Sequence, residues 1–129
     1  MTFPLIPVNA DPTAQEVFDV AVEYLLNQEE RCVVRDSFGS DACVYRNPAG
    51  NACAVGAFLP DDSPALSFNC GVKELVKYWC RDTPAWFENH LALLVSLQAQ
   101  HDWYDRSSLK HRLSNTARRY GLRMPVLSR

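Results

Sequence analysis

The stretch from Cys43 to Asp62, C-V-Y-R-N-P-A-G-N-A-C-A-V-G-A-F-L-P-D-D, decides how this chain folds. Asn47-Pro48-Ala49-Gly50 carries the residues of a type I turn followed by a left-handed glycine. Proline presets φ at the second position, asparagine bonds back to the backbone, and glycine accepts positive φ. The combination predicts a β-hairpin with a G1 bulge. In the register that follows, Asn47 faces Asn51, Tyr45 faces Cys53 and Cys43 faces Val55. Cys43, Tyr45, Cys53 and Val55 then share one face, expected to be buried, and Val44, Arg46, Ala52 and Ala54 the other. The two cysteines become diagonal neighbours with Cα atoms roughly 7–8 Å apart. A disulfide usually spans no more than about 6.8 Å, so Cys43 and Cys53 are expected not to be bonded. Gly56 to Pro60 leaves the hairpin, and the chain turns helical somewhere after Cys53.

Working outward, Thr13 and Glu16 have capping-box spacing, and Val17, Phe18, Ala21, Tyr24 and Leu25 recur on one helical face. The polar run Asn27-Gln28-Glu29-Glu30 ends that helix. Arg31 to Arg35 reads as a short strand and residues 36–41 as a loop. Beyond the hairpin and a loop over 61–70, three more helices are expected. The first runs from about Val72 to Cys80. The second starts at Thr83-Pro84 and reaches His101 or Asp102, with Phe87, Leu91, Leu94, Leu97 and Gln98 inward. The third is capped by Ser107 or Ser108, with Leu109, Leu113, Thr116, Ala117 and Tyr120 inward. Gly121-Leu122 has the residues of a Schellman ending. The expected fold class is therefore α+β: a short β-hairpin or three-stranded antiparallel sheet flanked by about four α-helices. Residues 1–129 form one domain, with 1–12 as an extended N-terminal segment.

The apolar fraction is 47% and the charged fraction 22%, ordinary for a globular domain. No apolar run reaches membrane-spanning length. The opening M-T-F-P-L-I-P-V-N-A lacks the basic residues of a signal peptide. A cytoplasmic location with reduced thiols is expected, the five cysteines serving as small buried residues. Net charge is only −2, but it is divided unevenly. Residues 1–105 hold all fifteen acidic residues against six Lys and Arg, a net −9, whereas 106–129 hold seven basic residues and no acid, a net +7.

The chemistry-bearing motifs are mostly missing. There is no C-x-x-C pair, P-loop, G-x-G-x-x-G, G-x-S-x-G or H-E-x-x-H. His90 and His101 lie roughly 16 Å apart along a helix, too far to share an ion. No metal, cofactor or catalytic residue is expected, and enzymatic activity is not the first reading; a thiol-dependent enzyme is the last of the alternatives.

The pattern C-x-Y-R, G-x-x-C-A-V-G and L-P-D stands here as Cys43, Tyr45-Arg46, Gly50, Cys53-Ala54-Val55-Gly56 and Leu59-Pro60-Asp61. Leu97-Gln98, His101-Asp102 and Tyr120-Gly121-Leu122 follow downstream. Together, over residues 13–122, they resemble a group of small proteins of tailed phages and prophages that has no assigned activity. The resemblance implies a bacterial host cell and, by analogy of class, stoichiometric binding to a host protein complex, including antagonism of host defence of the anti-CRISPR kind. Under that expectation an acidic surface with Glu29, Glu30, Asp61 and Asp62 meets the partner. The alternative is a nucleic-acid binder that uses Arg112, Arg118, Arg119 and Arg123 on the last helix.

Overall fold

A computed structural model describes residues 3–28, 32–35, 41–67, 71–78, 83–102 and 106–125. Four α-helices organise it: α1 (Ala14–Asn27), α2 (Val72–Tyr78), α3 (Leu91–Gln98) and α4 (Arg106–Arg119). Short 3-10 turns occupy Gly56–Phe58, Pro64–Ser67, Ala85–His90 and Ala99–Asp102. The only strands among the described residues are β1 (Val33–Arg35) and β2 (Asp41–Cys43), paired antiparallel with Val33 opposite Cys43.

The helix ends follow the sequence closely. The Thr13 hydroxyl accepts from the Glu16 amide at 3.1 Å and the Glu16 carboxylate from the Thr13 amide at 2.9 Å, so α1 starts on a complete capping box. Thr13→Ala should lower stability by about 1 kcal/mol in chemical denaturation, with no change in far-UV circular dichroism at low denaturant. At the other terminus Gly121 takes φ +66°, and the Leu122 amide donates to the Ala117 carbonyl at 2.8 Å. This is the Schellman closure of α4. The second expected helix is divided: Pro84 precedes the 3-10 turn Ala85–His90, and regular α-helix begins only at Leu91.

The α+β assignment is corrected: the described structure is mostly helical, and the expected sheet around the Asn47–Gly50 turn does not form. Near the turn the predicted register holds. Gly50 sits at φ +89°, the Asn47 amide donates to the Asn51 carbonyl at 3.0 Å, the Cys53 amide to the Tyr45 carbonyl at 3.1 Å, and Arg46 bridges Ala52. The pairing stops there because helix side chains take the Val55 amide, which the hairpin would have used, and the outward groups of Ala52, which a third strand would have met. The Gln28 carboxamide accepts from the Ala52 amide at 2.9 Å and donates to the Ala52 carbonyl at 3.0 Å. The Tyr24 hydroxyl donates to Gln28 Oε1 at 2.6 Å, and the Val55 amide donates to Gln98 Oε1 at 3.1 Å. Buried amides and carbonyls must be paired with something, and here α1 and α3 supply the partners. From Cys53 the chain coils at once, with the Ala57 amide on the Cys53 carbonyl at 3.1 Å. Cys43 consequently faces Val33, not Val55.

Both sides of the turn segment are therefore inside. Tyr45, Cys53 and Val55 are buried, but so are Val44, Ala52 and Ala54. The main core gathers Val17, Phe18 and Ala21 of α1, Phe58, Leu59, Leu75, Trp86, Phe87, Leu94, Leu97, Leu109 and Leu113. Trp86 stands edge-on to Phe58 and to Phe87, with ring centroids 5.2 and 4.8 Å apart. α1 packs on α3 and α4, and α2 on α3, around the central 43–62 segment. No helix among the described residues is long and apolar enough to cross a membrane.

Candidate functional site

The last helix is the most basic described element, and its sequence explains how the charges are placed. Leu109, Leu113, Thr116 and Ala117 are buried against the core, so the positions between them must face outward. Arg112, Asn115, Thr116 and Arg119 lie at spacings of three, four and seven, one stripe of an α-helix. With Ala99 and Gln100 they line an open cleft of about 390 Å³. The Thr116 hydroxyl is turned back onto the Arg112 carbonyl at 3.1 Å. Arg118 is exposed and hydrogen-bonds the Asn115 carboxamide, which holds it beside the same cleft. Arg123 lies beyond the helix end. Its amide donates to Gln15 Oε1 at 3.0 Å and its carbonyl accepts from Gln15 Nε2 at 2.9 Å, so α1 anchors the tail that carries it. Of the four expected arginines, the fold brings Arg112, Arg118 and Arg119 together and sets Arg123 apart.

The expected acidic surface is divided differently. Glu29 and Glu30 lie outside the described residues. Asp61 is paired with Arg46. Asp62 is exposed on a second cleft of about 350 Å³ lined also by Val8, Pro60, Ser63, Thr83, Pro84 and Ala85. Asp61 therefore has an internal task. The Arg46 guanidinium also donates to the Gly56 carbonyl at 3.0 Å and the Leu59 carbonyl at 2.6 Å, and it lies over the Phe3 ring at 4.1 Å.

His90 Nε2 is 2.7 Å from the Pro12 carbonyl, and His111 is exposed on α4. Among the described residues no three His, Cys, Asp or Glu side chains cluster in a way that could hold a metal ion. Cys32 and Cys53 are buried cysteines in one small cluster with Val44. The side chain of Cys43 and all of Cys70 and Cys80 lie outside the described residues. Gln28, read from the sequence only as part of the polar run that ends the first helix, fixes the turn, and Gln100, to which the sequence assigns no role, lines the basic cleft. For Gln28 the signal is burial of a polar side chain, visible only after packing.

Comparison with family models, with curated proteins and with solved structures finds no match to this chain.

Proposed function

We propose that this chain works by stoichiometric binding inside a bacterial host cell, as an accessory protein of the tailed-phage type, and that α4 is its contact face for nucleic-acid phosphates. The carrying observation is the Arg112–Asn115–Thr116–Arg119 stripe. It lines one open cleft with the cationic side chains of Arg112 and Arg119, and Asn115 holds Arg118 beside them; clustered guanidinium groups are what contacts to nucleic-acid phosphates use. Free nucleic acid and nucleic acid carried by a host-defence complex both present such phosphates, and the test below distinguishes them. The acidic form of that reading has weaker geometric support, because Asp61 already serves Arg46. No catalytic role is proposed for α4: Arg118 and Arg119 are exposed, and an arginine stripe positions phosphate without supplying a nucleophile or a general base.

The test is binding to single- and double-stranded oligonucleotides across a salt series. Affinity should fall steeply with salt. Arg112→Ala with Arg119→Ala should weaken binding about tenfold or more at low salt and flatten the salt slope by about two phosphate contacts. No binding at low salt, or an affinity indifferent to both substitutions, sinks the reading. A pull-down from host lysate with and without nuclease then separates free nucleic acid from a protein complex that carries it.

A further inference from the structure

The side chains of Cys32 and Cys53 meet in one small buried cluster with Val44, where the Val44 amide donates to the Cys32 carbonyl at 3.4 Å. Cys32 follows the end of α1, while Cys53 sits just past the turn. They are 3% and 5% exposed, and both line a cavity of about 10 Å³ with Leu25, Gln28, Ala52, Ala54, Leu97 and Gln100. Cys53 Sγ lies 3.0 Å from the Val44 carbonyl and 3.8 Å from the Cys32 carbonyl, and Cys32 Sγ lies 3.0 Å from the Asn51 carbonyl. We propose that Cys32 and Cys53 form an oxidisable dithiol, closed to an intramolecular disulfide by exchange with a small-molecule disulfide that approaches through the α4 cleft past Gln100.

The environment suits Cys32 as the attacking sulfur. The hydrogen bond from the Cys53 thiol holds Cys32 below the ordinary thiol range; burial pushes the other way, and the Asn47 and Cys53 amides and the Arg46 charge add to the lowering. The Cys32 thiolate attacks one sulfur of the oxidant, forming a mixed disulfide and releasing one thiolate. The Cys53 thiolate then attacks the Cys32 sulfur and releases the second. The oxidant gains two electrons, and the two thiol protons leave with the released thiols. Gln100 supplies the route because it lines both the small cavity and the Arg112–Arg119 cleft. Its Nε2 donates to the Ser96 carbonyl at 3.1 Å, while its buried Oε1 has no partner among the described residues.

The experiment uses the full chain carrying Cys43→Ser, Cys70→Ser and Cys80→Ser, treated with oxidised glutathione at neutral pH and read by intact mass and peptide mapping. The expected result is loss of two hydrogens and a peptide linking Cys32 to Cys53, restored by reductant and absent after Cys53→Ala. The unsubstituted chain should yield the same linked peptide, which controls for any harm the serines do to folding. Two unmodified thiols, or a linkage mapped elsewhere in the unsubstituted chain, overturns the dithiol. Gln100→Ala should speed closure by up to about tenfold, the equivalent of the one hydrogen bond that holds that side chain; an unchanged rate overturns the route. None of these readouts depends on what α4 binds.

Discussion

Gly56→Ala should destabilise this protein by about 4 kcal/mol or more, the largest effect expected of any single methyl added to the chain. The reason is a close approach of two backbone segments. A Cβ built on Gly56 would overlap the Tyr45 carbonyl oxygen and stand 2.5 Å from its carbon and 3.0 Å from its Cα. These are backbone atoms and cannot rotate away. Tyr45 is 1% exposed, and its carbonyl holds the Cys53 amide, so relief of the clash requires the two arms of the turn to part in the middle of the core. The Gly56 carbonyl would move with them and leave Arg46.

Gly50 gives the internal control. Nothing lies within 4 Å of its Cβ position, but its φ is +89°. Gly50→Ala therefore meets only backbone strain, about 1–2 kcal/mol. The two variants separate steric exclusion from conformational preference at two ends of one motif. Urea denaturation reads both, with an unchanged m-value showing that the unfolded state is the same. Gly56→Ala costing no more than Gly50→Ala would mean that the two backbones are not in contact.

The pair also marks what the sequence made legible. The local rules performed well where a few neighbouring residues decide the outcome. The Thr13–Glu16 cap, the left-handed Gly50, the register from Asn47 to Cys53 and the Schellman end at Gly121 all lie within five or six residues of their causes. The fold class failed for a tertiary reason. Ala52 and Val55 have backbone groups that a strand would have satisfied, and Tyr24, Gln28 and Gln98 satisfied them instead, from 24 to 43 residues away. A glutamine near a helix end reads as a solvent-facing residue; Gln28 becomes structural only because packing closes over it. The basic stripe was legible because α4 has a regular apolar face, which fixes the outward positions by subtraction. The meeting of Cys32 with Cys53 was not, since it depends on how β1 is laid beside the turn. The L-P-D part of the motif also changes meaning: Arg46 spans the turn from Gly56 to Leu59 and reaches Asp61, so the conspicuous residues of the opening stretch are there to close a loop.

Arg46→Met should cost about 3 kcal/mol, whereas Asp61→Asn should cost less than about 1 kcal/mol, although the two side chains form one ion pair. The asymmetry follows from where each partner stands. The Arg46 side chain is 9% exposed and the Asp61 side chain 70%. Water already solvates the carboxylate, so its charge adds little to a pair at the surface. The guanidinium is different: it caps the Gly56 and Leu59 carbonyls and lies on the Phe3 ring. Methionine keeps most of the apolar stem but takes the guanidinium donor from both carbonyls; the Gly56 carbonyl retains the Leu59 amide at 3.3 Å, so the larger loss falls at Leu59, where a buried polar group deprived of its donor carries a desolvation cost. Arg46→Lys should fall between, because a single ammonium nitrogen lacks the planar fork with which Arg46 reaches the carboxylate from one nitrogen and the two carbonyls from the other. The double variant Arg46→Met/Asp61→Asn should match Arg46→Met within about 0.5 kcal/mol. If Asp61→Asn proved as damaging as Arg46→Met, the ion pair itself and not the carbonyl clamp would hold the loop. The small cost expected for Asp61→Asn makes it a usable probe of the surface as well. A variant that folds normally and keeps the nucleic-acid binding proposed for α4 would show that Asp61, which is paired with Arg46, serves the fold.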